Sequence, residues 1–197
     1  MKNLLSIASS LLLIFSFCAC NDGEKNDPDI LAGENDGDQI LYLNYGNEEV
    51  EVDHQYADDS WFTLDLSGNG SVYLQVWQVT SRFGMGTVII TNTSFVKSTQ
   101  QIEVAVNDTA TDYVAIYKEG DKIDGQLNWS STENLNLSGL EITEENGNII
   151  SEVPSGFLFN NKFIAFRWLD GDKTRYGWLK LTQEDFRSTI HAYAVQK

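Results

Sequence analysis

Carboxylates are the most plentiful groups in this chain that could take part in catalysis. The 197 residues include 29 Asp and Glu against 13 Lys and Arg, which gives a formal net charge of −16. Two carboxyl groups that face each other at roughly 5–9 Å across a cleft can hydrolyse a glycosidic bond. The acidic residues that could supply such a pair are Asp58, Asp59, Asp121, Asp124, Glu141 and Glu152. In so acidic a chain most carboxylates are expected to be surface charge, and a small glycan hydrolase stays an alternative.

Other groups that support catalysis or metal binding are sparse. The two histidines, His54 and His191, have no second ligand at the short spacings typical of zinc sites, so each is expected to be a surface or packed side chain. A Gly-x-Ser-x-Gly elbow is missing, and both cysteines, Cys18 and Cys20, lie close to the N-terminus. The sequence therefore predicts no enzyme, no metal and no cofactor.

Aromatic side chains are better placed for binding. Tyr73 and Trp77 alternate with aliphatic residues in one predicted strand, and Tyr176 and Trp178 do so in another. Flat rings flanked by amides and a lysine can stack on sugars or peptides, so these four residues are the candidate ligand-binding set. The alternative is that the rings fill a β core, since large aromatic side chains are highly buried on average. The remaining tryptophans are expected to be structural: Trp61, Trp129 and Trp168.

Short β-like runs must position these side chains. They are rich in β-branched and aromatic residues and are separated by Gly, Asn, Asp and Ser, which is typical of an all-β sandwich or barrel. The predicted strands are 40–45, 61–66, 71–79, 87–91, 101–106, 113–117, 135–142, 149–153, 162–169, 174–181 and 189–195. We therefore expect a single antiparallel β domain over residues 39–197.

Two local patterns refine this expectation. Asn146-Gly147 is a two-residue hairpin signal, because both central positions of a type I′ turn need a positive φ. In the last strand, Ile190, Ala192 and Ala194 occupy alternate positions, and simple alternation would place all three on one inward face.

The N-terminus has the composition of a secretory signal. Lys2 precedes an almost uncharged apolar run over residues 4–17 that ends near Cys20. The run is shorter than the about 20 apolar residues of a membrane-spanning helix, so an uncleaved anchor is the less favoured alternative. Residues 1–19 are predicted to be a signal peptide, and the acidic segment 20–38 is predicted to be a flexible tether with few apolar groups.

The junction Phe17-Cys18-Ala19-Cys20 resembles the lipobox of bacterial lipoproteins. The acidic residues after it resemble the export signal of Bacteroidota-type outer-membrane lipoproteins. The resemblance implies that Cys20 carries a diacylglycerol thioether and an acylated amine, with fatty chains such as palmitate. Acyl chains contribute about 0.8 kcal/mol per buried methylene, and stable anchoring takes more than one chain. The implied location is the outer membrane, lipid-anchored through Cys20, with exposure at the cell surface as a further expectation.

Two motifs resemble a loose family of secreted and lipoprotein β-domains of unknown function from Gram-negative bacteria. They are Leu64-Asp65-Leu66-Ser67-Gly68-Asn69-Gly70 and Tyr176-Gly177-Trp178-Leu179-Lys180-Leu181. The resemblance implies a β fold and a secreted setting, without an activity. In that family the glycine run often holds more aspartates, whose oxygens could bind Ca²⁺. Here Ser67 and Ser71 replace two of them, so a plain turn is favoured over a Ca²⁺ site near Asp65.

The net charge narrows the choice of partners. An acidic surface repels phosphates, which argues against a nucleic acid as partner. We therefore expect a membrane-anchored exported lipoprotein that acts as a non-catalytic surface interaction module, with a glycan or another envelope protein as partner. The alternatives are a glycan-binding accessory lipoprotein that uses the four aromatic residues, and a small glycan hydrolase.

Overall fold

A computed structural model describes residues 29–53, 56–99, 101–108 and 112–197. Every regular element in these ranges is a strand, so the part of the chain that is described contains no helix that could cross a membrane. The strands are β1 (Ile30–Leu31), β2 (Ile40–Glu51), β3 (Asp58–Asp65), β4 (Tyr73–Phe83), β5 (Thr87–Ser98), β6 (Ile102–Ala105), β7 (Lys122–Ile123), β8 (Trp129–Ser130), β9 (Asn134–Glu145), β10 (Asn148–Gly156), β11 (Phe159–Asp170), β12 (Lys173–Gln183) and β13 (Arg187–Gln196).

These strands form two large antiparallel sheets and one small one. The five-stranded sheet has the order β10-β9-β5-β4-β3, and the six-stranded sheet has the order β2-β13-β12-β11-β6-β8. The two large sheets pack face to face, and β1 pairs with β7 in a separate two-stranded sheet. The prediction of an antiparallel all-β fold is confirmed, and the architecture is a sandwich.

The predicted hairpins are present as well. Asn146 and Gly147 connect β9 to β10 with φ values of 51° and 77°, as the turn signal predicts. The last three predicted strands form the meander β11-β12-β13, in which Gly171 has a φ of 62° at the first turn.

The main core lies between the two large sheets. Leu74 and Val76 enter it from β4, and Leu179 and Leu181 enter it from β12; all four side chains are fully buried. Burying one such side chain stabilises the fold by about 1.5–3 kcal/mol relative to leaving it exposed. Because alternate residues of a strand point to opposite faces, each large sheet also has an outer face. That face is either covered by another segment of the chain or exposed to solvent.

The second face of the six-stranded sheet is covered. Residues 29–35, which we name the N-terminal strap, lie on it together with the segment around β7, and Ile30, Ala32 and Ile123 are buried there. The prediction of a flexible tether up to residue 38 is therefore wrong for the strap. Ile30 and Ala32 help to dock the strap because they meet an apolar sheet surface rather than water, and backbone hydrogen bonds between Ala32 and the segment before β7 add to this.

Candidate functional site

The outer face of the five-stranded sheet differs from that of the six-stranded sheet in carrying half-exposed aromatic and polar side chains. We name part of it the aromatic platform, which consists of Trp61, Thr63, Tyr73, Gln75, Trp77 and Lys97. Leu64 and Leu74 are buried between the sheets, so the residues at the alternating positions of β3 and β4 point outwards. The predicted outward orientation of Tyr73 and Trp77 is confirmed.

Two tryptophans form the centre of the platform. Trp61 on β3 lies directly opposite Trp77 on β4, and their ring centroids are 4.8 Å apart with an interplanar angle of 21°. β3 is the edge strand of its sheet among the described residues, and the side chain of Trp61 is 52% exposed. The stacked pair therefore presents aromatic surface to solvent at the margin of the sheet.

Polar groups fix the orientation of this pair. The Trp77 indole Nε1–H donates to Gln75 Oε1 at 3.0 Å, and Gln75 Nε2 donates to Thr63 Oγ1 at 2.8 Å. Lys97 Nζ lies 5.6 Å from the centroid of the Trp77 ring, where its charge interacts favourably with the ring face. Because these contacts restrain the rings before a ligand arrives, binding costs less ordering entropy.

The other half of the predicted ligand-binding set is in a different place. Tyr176 is 0% exposed and Trp178 is 2% exposed, and both lie under the N-terminal strap. Trp178 Nε1–H donates to the Glu34 carbonyl oxygen at 3.1 Å, and its ring meets Phe163 edge-on at 5.2 Å. The expectation that Tyr176 and Trp178 face a ligand is wrong, because a second layer covers this face of the six-stranded sheet.

Trp61 was expected to be structural, and it is the site residue that sequence reasoning missed. The signal that could have found it is the alternation in β3, where Leu64 is buried and Phe62 packs against the core, while Trp61 and Thr63 are exposed. The same rule that selects Trp77 thus selects Trp61.

The loop after β3 is a self-contained turn. The Asp65 carboxylate accepts hydrogen bonds from the Ser67 hydroxyl at 2.8 Å and from the backbone N–H groups of Ser67, Gly68 and Gly70. These bonds, that of the Ser67 hydroxyl first, lower the pKa of Asp65. The carboxylate oxygens are thus occupied by loop donors, which supports the plain turn. Among the described residues, no group of three His, Cys, Asp or Glu is arranged to hold a metal ion.

Two of the acidic residues proposed for a hydrolase, Glu141 and Glu152, lie on the paired strands β9 and β10. Glu141 is opposite Val153 and Glu152 is opposite Ile142, so their side chains point to opposite faces of the sheet. Asp124 pairs with Lys122 at 3.0 Å, and its pKa is lowered, first by the backbone N–H of Gln126 and then by this lysine. Cys20 and His54 lie outside the described residues.

Comparison of the chain with protein-family models, with curated proteins and with solved structures finds no match in any of the three. The geometry of the site therefore carries the functional argument.

Proposed function

We propose that this protein is an exported, lipid-anchored interaction module that binds a glycan on the aromatic platform. The observation that carries the proposal is the stacked pair of half-exposed Trp61 and partly buried Trp77 on the outer face of the five-stranded sheet. The lipobox resemblance at Cys20 supports the proposed anchor and the proposed location at the outer membrane.

The chemistry of the platform suits a neutral sugar chain. A pyranose ring has an apolar C–H face that packs on an indole, and its hydroxyls can bond to side chains such as Thr63 and Gln75. With a net charge of −16 the protein disfavours polyanions, so an uncharged glycan is a better partner than an acidic one. Binding without hydrolysis agrees with the opposite orientations of Glu141 and Glu152.

The experiment is a titration of the purified protein against soluble neutral polysaccharides, namely a β-glucan, a xylan and a galactomannan, by isothermal calorimetry. Trp61→Ala and Trp77→Ala are each expected to weaken binding about tenfold, which corresponds to about 1.4 kcal/mol of lost stacking. Phe157→Ala is the matched control, because Phe157 is 54% exposed but lies outside the platform.

Two results would contradict the proposal. One is unchanged affinity in the Trp61→Ala/Trp77→Ala double variant while its circular dichroism remains that of a β protein. The other is the absence of measurable heat with every neutral polysaccharide and with an acidic one, which would turn attention to a protein partner.

A further inference from the structure

In the six-stranded sheet, the regular pairing is interrupted at adjacent positions of four neighbouring strands, namely β2, β13, β12 and β11. Between β12 and β13 the extra residue is His191, and between β11 and β12 the extra residue lies at Asn160-Asn161, opposite Thr182. Between β13 and β2 the register also shifts, across residues 45–47. β-Bulges redirect side chains and occur often beside functional sites.

The bulge at His191 also corrects the predicted alternation of the last strand. Ile190 lies in the core between the large sheets, whereas Ala192 and Ala194 pack on the opposite side, under the N-terminal strap. The extra residue therefore reverses the inward and outward positions after Ile190. It also turns the imidazole of His191 out of the regular pattern, towards the neighbouring strands.

Two asparagines at the bulges have a left-handed backbone. Asn47 has a φ of 70° and Asn161 has a φ of 49°, a region in which asparagine is enriched among residues other than glycine. The only other described non-glycine residue with a positive φ is Asn146, in the hairpin turn. The two asparagines therefore suit the sharp backbone turns at which the regular pairing is broken.

These irregularities bring three side chains into a hydrogen-bonded line. His191 Nδ1 is 2.7 Å from Asn47 Oδ1, and His191 Nε2 is 2.9 Å from Thr182 Oγ1. Because the Asn47 Oδ1 atom can only accept, Nδ1 must carry the proton. In the neutral imidazole, Nε2 is then a free acceptor directed at the hydroxyl of Thr182.

The neutral imidazole is also the favoured form. Burial, and then the positive charge of Lys180, lowers the pKa of His191. Thr182 Oγ1 also lies 2.9 Å from Asn160 Oδ1, but one hydroxyl proton cannot serve both acceptors. The hydroxyl proton can therefore be donated to Asn160 Oδ1 or to His191 Nε2, and donation to Nε2 is the arrangement in which the neutral imidazole can act as a base.

We propose that Thr182 is a hydroxyl nucleophile that accepts an acyl group from a small activated ester, with His191 as its general base. Asn47 is the positioning residue that holds the imidazole in the required tautomer. This is the hydroxyl–imidazole–orienting group arrangement by which proteins activate weak nucleophiles. The site lies on the six-stranded sheet, away from the aromatic platform, and is independent of glycan binding.

The reaction step balances within these residues and the ester. Thr182 Oγ1 bonds to the ester carbonyl carbon while its proton passes to His191 Nε2. The bond from that carbon to the leaving oxygen then breaks, and the leaving group departs with the electron pair and takes up the proton. The product is an O-acyl threonine, which water cleaves with the same base to restore the hydroxyl.

Two further groups lie beside the nucleophile. The backbone N–H of Asn161 donates to Thr182 Oγ1 at 3.1 Å and helps to fix the position of this oxygen. The ammonium of Lys180, two residues before Thr182 on the same strand face, adds positive charge near His191. Asn160 and Asn161 are exposed, so a small ester can approach this part of the sheet from solvent.

The experiment treats the full-length protein with p-nitrophenyl acetate and locates the acetyl group by peptide mass spectrometry after an acid quench. We expect acetylation of Thr182, at a rate that rises with pH through the titration of His191 and then levels off. Thr182→Ala should remove this label, and His191→Gln should slow it about 100-fold, the lower end of general-base contributions.

Matched variants separate this role from a structural one. Thr189→Ala is the control, because Thr189 lies directly opposite Thr182 on β13. Asn47→Gly keeps the left-handed backbone but removes the side-chain amide, so it should slow the acetylation of Thr182. Asn47→Asp keeps an acceptor for His191 Nδ1, so acetylation should be restored. Its carboxylate should also move the pH midpoint of acetylation upwards. The proposal is overturned if folded protein carries no acetyl group on Thr182, if the label resides on His191, or if His191→Gln labels Thr182 at the wild-type rate.

Discussion

At the scale of single residues, the Tyr-Gly-Trp motif has a packing explanation. A Cβ atom on Gly177 would lie 2.5 Å from Cζ of Phe166 and 2.6 Å from the carbonyl oxygen of Ala194. The neighbouring strands thus approach the backbone at this position too closely for any side chain. Gly177 thereby lets Tyr176 and Trp178 enter the layer under the strap, so the motif is a signature of packing rather than of binding.

Tyr45 provides a test at the same scale. Its ring stacks on Tyr193 at 5.9 Å and meets Phe62 edge-on at 4.8 Å. Burial, and then Tyr193, raises the pKa of Tyr45 to about 12. An unfolded tyrosine ionises near pH 10. The unfolded state therefore releases this proton first, and stability should fall as the pH rises from about 10 to 12.

The measurement is chemical denaturation at pH 9 and at pH 11. Tyr45→Phe should reduce the loss of stability between the two pH values, and the raised pKa values of Tyr117 and Tyr193 should leave part of it in place. Tyr56→Phe is the control, because Tyr56 is 67% exposed. An identical loss in Tyr45→Phe and wild type would refute the assignment.

At the same scale, the alternation of inward and outward side chains along a strand predicts some orientations correctly. It orients Tyr73 and Trp77 correctly, because the described residues place a second layer against only one face of their sheet. The alternation also orients Tyr176 and Trp178 correctly. It does not predict that the strap covers them, because the strap and these residues are far apart in sequence. Burial of an outward face is a tertiary property that a single strand does not encode.

At the scale of elements, a buried polar network joins the two large sheets. Its members are Gln78, Ser94, Ser138, Gln183 and Ser188. Gln78 Nε2 donates to Ser188 Oγ at 2.7 Å, and Gln183 Nε2 donates to Ser94 Oγ at 2.8 Å, so both bonds cross from one sheet to the other. A satisfied network of this kind fixes how the sheets are aligned, because a slipped arrangement would leave buried polar groups unpaired.

Replacing one member of this network should therefore destabilise the protein more than the size of the replaced side chain suggests. Gln78→Leu is expected to destabilise the protein by about 2–3 kcal/mol, because it removes the acceptor of the buried Ser94 hydroxyl and the amide donor to Ser188 Oγ. Gln75→Leu, on the outer face of the same strand, should change stability by no more than about 0.5 kcal/mol. Urea denaturation of both variants checks this contrast, and equal effects would argue against the network.

The elements themselves are largely predictable from the sequence, and their irregularities are not. The patterns of β-branched and aromatic residues predict the long strands and the Asn146-Gly147 hairpin. The predicted strand at residues 113–117 forms only isolated bridges, at Tyr113, Val114 and Tyr117. The bulge at His191 also escapes prediction, because one extra residue leaves the composition of a strand unchanged while reversing its faces.

At the scale of the whole molecule, the layers are arranged asymmetrically. The strap covers the six-stranded sheet, and the aromatic platform lies on the far face of the five-stranded sheet. The chain therefore enters the domain on the side opposite to the proposed glycan site. In the proposed lipid-anchored protein, residue 29 thus lies on the side of the sandwich that faces away from the platform.

The strap can be tested as a unit of the fold. Ile30→Asp should destabilise the protein by about 3 kcal/mol or more, because it buries an unpaired charge against Trp178 and its neighbours. Leu31→Asp is the matched control on the same short strand, since Leu31 is 45% exposed. Acrylamide quenching of tryptophan fluorescence should increase only in the first variant; equal quenching in both would show that the strap does not shield Trp178.

The strap is held by few bonds compared with either large sheet. β1 and β7 pair over only two residues, Gln196 Nε2 donates to the Asp29 carbonyl oxygen at 2.9 Å, and Lys122 meets the Asp29 carboxylate at 2.9 Å. A pulling force from the N-terminal side loads these contacts before it reaches the sandwich. We therefore expect the strap to detach and to expose the indole of Trp178 before the two large sheets separate.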